Sequence, residues 1–322
     1  MLSSTSRFVT VRGLRTHLRE WGPMDAPRVW LLHGWMDVSA SWQFLVDALG
    51  PHWRFVAPDW RGFGLSEWVR DGIYSYTDYV ADLDALVRTV ETGDAGGAAA
   101  ADAADAATQA SPVRQPVRLI GHSLGGNIAS LYAAARNDRV SCLVNLEGFG
   151  LRRRAALEAP GHLRAWLDDL ERFTDRRAFA DRGALVSRVQ AVSHRIAAER
   201  AAFLAGHWGE QGDDGRWRLR ADPAHLRAGP DLWRLDEAMA CWREIRAPAL
   251  WVEAAQSENI ERHRLTPATL ARRRRAWPDL RLERIDEAGH MLHWEHPERL
   301  AELIAPFLRA TDRPVPQSPP PA

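Results

Sequence analysis

The sequence predicts an α/β protein, and three observations carry that prediction. Short apolar runs of strand length alternate with stretches of helical period. A serine flanked by glycines, Gly121-His122-Ser123-Leu124-Gly125, stands where one such run gives way to a helix. The alternation stops near residue 151 and resumes near 248, so the intervening chain is expected as an insertion into a divided core. The expected organisation is a first core part at 1–148, a helical cap at 149–246, a second core part at 247–311 and a tail at 312–322.

Taken in order, Phe8 to Val11 and Thr16 to Glu20 flank Gly13 and read as an antiparallel pair at a sheet edge. The run from Arg28 to Leu32 lacks alternation, as a strand buried on both faces should. It ends in His33-Gly34-Trp35. Gly34 lets the backbone approach a substrate, and the N–H of Trp35 is then a candidate donor to an oxyanion. The side chains of His33 and Trp35 are expected to pack. Trp42, Leu45, Val46 and Leu49 have helical spacing with Ser41 as the expected N-cap.

A strand at Phe55 to Ala57 leads into a glycine-punctuated loop, in which Asp59 and Arg61 are expected to pair across the turn. Tyr79, Val80, Leu83, Leu86 and Val87 mark a long amphipathic helix from Tyr76. Residues 91–112, rich in alanine, glycine and aspartate, lack an apolar period and read as a low-complexity surface insertion.

The run from Val117 to Ile120 then meets the serine turn. Glycines two residues before and after Ser123 are needed if the chain reverses so sharply that a Cβ there would strike the adjoining strand or helix. Such a turn lifts the hydroxyl clear and sets the N–H of Leu124 at a positive helix end beside it. Val140 to Leu146 form a further strand that delivers Glu147 to the same rim. After the predicted cap, with Trp166, Trp208, Trp217, Trp233 and Trp242 among many charges, strands return at Ala249 to Val252 and Leu280 to Ile285. A helix opened by Pro297 closes the core, and the proline-rich end reads as unstructured.

Composition narrows the partners. The 322 residues carry 42 basic side chains, every one an arginine, against 42 acidic ones. This balance offers no basic face for nucleic acid. There is no apolar run for a signal peptide or a membrane span, so a cytoplasmic protein without membrane contact is the default. Cys142 and Cys241 match no metal or redox spacing and are expected as small core residues. Oligomeric state has no sequence signature here.

A serine hydroxyl becomes a useful nucleophile when an imidazole takes its proton and a carboxylate steadies the imidazole. Of 12 histidines, His290 follows a glycine just beyond the last strand, where a loop can bring it over Ser123. His293 and His296 lie further on and are assigned packing or surface roles. With His33-Gly34, the Ser123 elbow and Ala288-Gly289-His290, the chain resembles the α/β-hydrolase superfamily over nearly all its length outside the insertion and tail. That resemblance implies a mostly parallel eight-stranded sheet, a cap after the sixth strand, and the chain order nucleophile, acid, histidine.

The commonest pattern in that superfamily would put an aspartate where Ser257 stands. Glu147 is the favoured acid and its order fits, as some branches near the haloalkane dehalogenases resemble this chain in carrying a glutamate there. Glu258 is the alternative, and Glu253 lies too close to its strand. A serine at the elbow, where the dehalogenases and epoxide hydrolases carry aspartate, points to acyl chemistry. The expected function is hydrolysis of small to medium hydrophobic carboxylic esters through Ser123, Glu147 and His290, with Trp35 and Leu124 as oxyanion donors and neither metal nor cofactor. The alternatives are carbon–carbon bond hydrolysis of ring-fission products, or an inactive ligand-binding relative.

Overall fold

The computed structural model describes residues 1–95, 115–150, 153–171, 177–229, 231–232 and 234–311. The chain opens with β1 (Thr5–Val11) and β2 (Leu14–Trp21), paired antiparallel about a turn in which Arg12 and Gly13 both have positive φ. Strands and helices then alternate: β3 (Arg28–Leu32), α1 (Gln43–Leu49), β4 (Arg54–Pro58), α2 (Tyr76–Ala95), β5 (Val117–His122), α3 (Leu124–Ala135) and β6 (Val140–Leu146). After a long intervening segment come β10 (Ala249–Ala254), α8 (Glu258–Arg262), α9 (Pro267–Arg274), β11 (Leu280–Ile285), α10 (Leu292–Glu295) and α11 (Pro297–Ala310).

Eight strands share one sheet in the order β1-β2-β4-β3-β5-β6-β10-β11. From β4 through β3, β5, β6 and β10 to β11 every pairing is parallel, and β2 joins β4 antiparallel. The central strands are buried on both faces, which explains their largely apolar, non-alternating runs. The edge strand β11 is largely solvated and carries the pair Arg281–Glu283, a charged edge that discourages further pairing.

Alternation along each strand divides the core in two. Trp30, Leu119 and Trp251 pack with Leu83 and Val87 of α2, Ile128 and Tyr132 of α3, and Trp242. On the opposite face Leu31, Ile120 and Val252 meet Leu45 of α1 and Leu300, Ile304 and Leu308 of α11. Each fully buried aliphatic side chain of this kind contributes about 1.5–3 kcal/mol.

Between β6 and β10 lie α4 (Ala159–Glu171), β7 (Ala178–Phe179), α5 (Arg182–Val192), α6 (Ala198–Trp208), β8 (Gly209–Gln211), β9 (Trp217–Leu219) and α7 (Leu235–Arg243). The segment is thus not wholly helical as expected: β7, β9 and β8 form a small antiparallel sheet. It rests on the core through Leu185, Leu204 and Trp208, which cluster with Val38, Phe44, Met291 and Trp294.

Three further expectations need correction. The Ser41 hydroxyl does not cap α1 but donates to Asp37 Oδ2 and the Val38 carbonyl, inside a 3-10 turn at Ser39–Trp42 that leads into the helix. Asp59 and Arg61 do not pair: Asp59 accepts from the Ser39 and Leu65 N–H groups and contacts His17, and Arg61 binds Asp82 and Asp78 on α2. Cys142 is buried, whereas Cys241 is only half-buried. Of the expected low-complexity insertion, 91–95 extend α2, while 96–112 and the tail at 312–322 lie outside the described residues. Among the described residues no helix is long and apolar enough to cross a membrane.

Candidate active site

The carboxyl ends of the parallel strands open onto a cavity of about 1680 Å³. Ser123, Glu147 and His290 all line it, as do Trp35 and Leu124. Ser123, Glu147, His290 and Trp35 come from four different strand ends, and Leu124 follows Ser123, the arrangement by which open α/β sheets assemble sites.

Ser123 sits between β5 and α3 with φ 51° and ψ −112°. A Cβ on Gly121 would stand 2.4 Å from the Gly125 carbonyl oxygen, and one on Gly125 would stand 2.0 Å from the Leu32 carbonyl oxygen. The glycine spacing read from the sequence therefore has a steric cause on both sides of the serine. Across the turn, a Cβ on Gly34 would meet His122 Nδ1 at 2.9 Å and the Ser123 Cβ at 3.4 Å, so the Trp35 loop lies directly against the elbow. The Trp35 side chain is 45 % exposed and lines the cavity instead of packing. His33 is buried as expected, donating to the Gly34 carbonyl and accepting the Trp60 N–H.

Glu147 follows β6 with φ 58°. Of the five non-glycine residues with positive φ among the described residues, three (Met36, Ser123 and Glu147) line this cavity. Backbone strain of this kind costs of order 1–3 kcal/mol per residue and persists where surrounding structure enforces it. Here Asn145 clamps Gly148 through both its N–H and its carbonyl, and Asn127 Oδ1 accepts the Gly150 N–H.

The Glu147 carboxylate is buried and receives three donors. Oε1 accepts the Ala254 N–H at 2.7 Å; Oε2 accepts the Ser257 hydroxyl and lies 3.2 Å from His290 Nδ1. Burial pushes its pKa up, opposed by His290, the Ala254 N–H and Ser257. Ser257, which follows β10, thus supports the Glu147 carboxylate from the neighbouring strand end.

Glu258 is placed differently. Its side chain is exposed, pairs with Arg195 at 3.3 Å, and accepts the backbone N–H of His290 at 3.1 Å, so it holds the loop and not the ring. Glu253 pairs with Arg274. The same loop is fixed by Glu295, which accepts the Gly289 N–H, and by His122, whose Nε2–H donates to the His290 carbonyl at 2.9 Å.

Two side chains escaped the sequence reading. Ser257 carried a positional signal, since a hydroxyl at a strand end can donate to a neighbouring acid. Asn259, on α8, carried none. Its amide nitrogen lies 3.1 Å from His290 Nδ1 and 2.8 Å from Nε2. The Ser123 hydroxyl has no hydrogen-bonded partner among the described residues, and the carboxamide of Asn259 meets the imidazole edge that a base would offer it.

A family model described as alpha/beta hydrolase fold matches residues 27–297. The chain is 24% identical over 307 residues to a serine hydrolase-like protein of Danio rerio, covering 93% of this chain and 85% of that one. It is 27% identical over 305 residues to 2-(acetamidomethylene)succinate hydrolase of Mesorhizobium japonicum, covering 95% of both. The thioesterase domain from the curacin biosynthetic pathway superposes with a TM-score of 0.78 at 21% identity, covering 94% of this chain and 99% of that domain, which is a likeness of fold.

Proposed function

The chain belongs to the α/β-hydrolase fold family, and on that premise we propose that it is a serine hydrolase acting on acyl compounds, with carboxylic esters as its substrates. The reading rests on one observation above the others: His290 Nδ1 lies 3.2 Å from the buried carboxylate of Glu147 on the border of the cavity that Ser123 also lines.

In this reading Ser123 Oγ attacks the acyl carbon while His290 Nε2 takes its proton. Glu147 accepts the Nδ1–H, fixing the tautomer and stabilising the imidazolium. The N–H groups of Trp35 and Leu124 donate to the oxyanion. Collapse of the tetrahedral intermediate expels the alcohol, protonated by His290, and water then releases the acyl group by the same steps in reverse roles. For the first transfer, Nε2 must exchange the carboxamide of Asn259 for the serine hydroxyl. Apolar side chains along the cavity, among them Trp35, Phe149, Trp166 and Met291, suit a hydrophobic acyl or alcohol group. We further propose that the segment between β6 and β10 serves as the cap of the site, since Trp166 and Trp208 from it line the same cavity.

A second reading is favoured by Arg154, Arg188 and Arg262, which line the cavity without a side-chain partner among the described residues. These suit a substrate bearing a carboxylate, as the name of the Mesorhizobium relative describes for that protein. Cleavage would then fall on a carbon–nitrogen or carbon–carbon bond next to the attacked carbonyl. Steady-state and rapid-mixing assays with p-nitrophenyl butyrate, an acylated succinate and a dienone separate the readings. Ester hydrolysis with a nitrophenol burst, lost in Ser123→Ala, is the expected result. Turnover of the carboxylate-bearing substrate alone would move the assignment to the second reading, and no turnover of any would favour a ligand-binding relative.

A further inference from the structure

Below the loop that carries Trp35, the side chains of Asp37, His122 and His293 converge so that one ligand atom of each lies within 4.8 Å of the others. All three residues are at most 1 % exposed. Asp37 is held firmly: Oδ1 accepts the Val38 N–H at 2.8 Å and the Trp208 indole N–H at 3.0 Å, and Oδ2 accepts the Ser41 hydroxyl at 2.8 Å. The histidines are not. His122 spends its Nε2–H on the His290 carbonyl, which leaves Nδ1 with a lone pair. That Nδ1 has no hydrogen-bond partner, and neither ring nitrogen of His293 has one. The contact between His293 Nε2 and Asp37 Oδ2 is 3.7 Å, too long for a hydrogen bond.

A buried polar atom without a partner costs of order 1–3 kcal/mol, so three on two adjacent rings, 4.3 Å apart between centroids, call for a physical reason. We propose that Asp37, His122 and His293 form a binding site for a divalent transition-metal ion of the zinc type. Two imidazoles and a carboxylate are the donors that zinc, cobalt and nickel prefer, whereas magnesium and calcium take oxygen ligands. Tetrahedral zinc sets its ligand atoms roughly 3.3 Å apart, so closing on the ion requires a small rotation of the rings. Asp37 and His122 both line the cavity, which supplies the entry path and an open side for a water ligand. The ion would reach the chemistry through the backbone: His122 immediately precedes Ser123, and Asp37 lies two residues beyond Trp35. The site does not depend on the reaction assigned above, because its binding is measured without substrate.

The test is calorimetric titration of the chelator-treated full chain with zinc chloride, with magnesium chloride in parallel, on the wild type, His293→Gln, Asp37→Asn and, as a histidine outside the cluster, His207→Gln. One equivalent of zinc at micromolar affinity or better is expected, with no magnesium uptake. At least tenfold weaker binding is expected in the first two variants, and unchanged binding in His207→Gln. Zinc-edge X-ray absorption of the loaded wild type, which needs no variant to fold, should show two imidazole nitrogens and an oxygen at about 2.0–2.1 Å. Zinc uptake only at millimolar concentration, equal affinity in folded variants, or a spectrum without the imidazole pair would overturn the proposal.

Discussion

Glu147 is the residue on which the chemistry proposed for this site depends most visibly. Replacing it by glutamine removes the charge that stabilises the His290 imidazolium and should lower kcat by about a thousand- to ten-thousand-fold. Glu258→Gln, which alters an exposed pair and one backbone contact, should cost less than about threefold. Steady-state kinetics on both variants check the ranking, and the reverse order would reassign the acid. Ser257 lowers the Glu147 pKa by donating to its carboxylate, so Ser257→Ala should move the acid limb of the kcat/KM profile to higher pH. Asn259 meets the Nε2 that the proposed mechanism gives to Ser123, so Asn259→Ala should speed acylation a few-fold in single-turnover assays; a tenfold loss would show that it positions the ring instead. Ser123, Glu147 and His290 could be picked out by residue type and chain order. The positive φ of Glu147 could not, because a glutamate gives no warning of a left-handed backbone, and Asn259 meets His290 only through the packing of α8 against the final loop.

At the scale of elements, the turn between β5 and α3 makes the sharpest claim. Gly125→Ala would drive a methyl into the Leu32 carbonyl of the neighbouring strand, a clash of backbone on backbone that no rotamer relieves. It should cost about 3 kcal/mol or more and lower Tm by roughly 5 °C or more in a chain of this size. Gly161→Ala in α4, where a Cβ meets nothing within 4 Å, should leave Tm unchanged or raise it slightly, since alanine is the better helix former by about 1 kcal/mol. Thermal denaturation followed by circular dichroism checks the pair. Strands at β3, β5, β6 and β10 were legible because burial on both faces leaves few polar positions to confuse the pattern. The strands β7, β8 and β9 were not, at two or three residues each, too short to show any period. The pairing of Asp59 and Arg61 failed for a related reason: closeness in sequence does not say that His17 and Asp82, from other elements, offer each a better partner.

For the whole molecule, acid sensitivity follows from half-buried neutral histidines. Desolvation holds His225 down to about 3 and His207 to about 4, against about 6.5 in an unfolded chain. Below that unfolded value the unfolded state binds protons that the folded state refuses, so stability falls as pH drops from 6.5 towards the folded values. Glu147 works in the other sense: its raised pKa makes its charged form a cost at neutral pH that protonation relieves. Tm should therefore decline between pH 6.5 and 5, and more gently in His225→Phe, whose ring keeps the stack between Phe63 at 3.8 Å and Tyr74 at 3.7 Å. An unchanged slope would remove His225 from this account. The alternation of strands and helices was legible in the sequence, and the resemblance to the α/β hydrolases implied the mostly parallel eight-stranded sheet; the strand order came only from the structure. The contents of the cavity wall could not, since they depend on how the segment between β6 and β10 settles on the strand ends.

The central claim is that Ser123 is the activated nucleophile, and reaction with a fluorophosphonate followed by intact-protein and peptide mass spectrometry tests it most directly. A single adduct on the peptide containing Ser123 is predicted, absent in Ser123→Ala and strongly slowed in His290→Ala. A wild-type protein that stays unlabelled, or an adduct on any other residue, would contradict it.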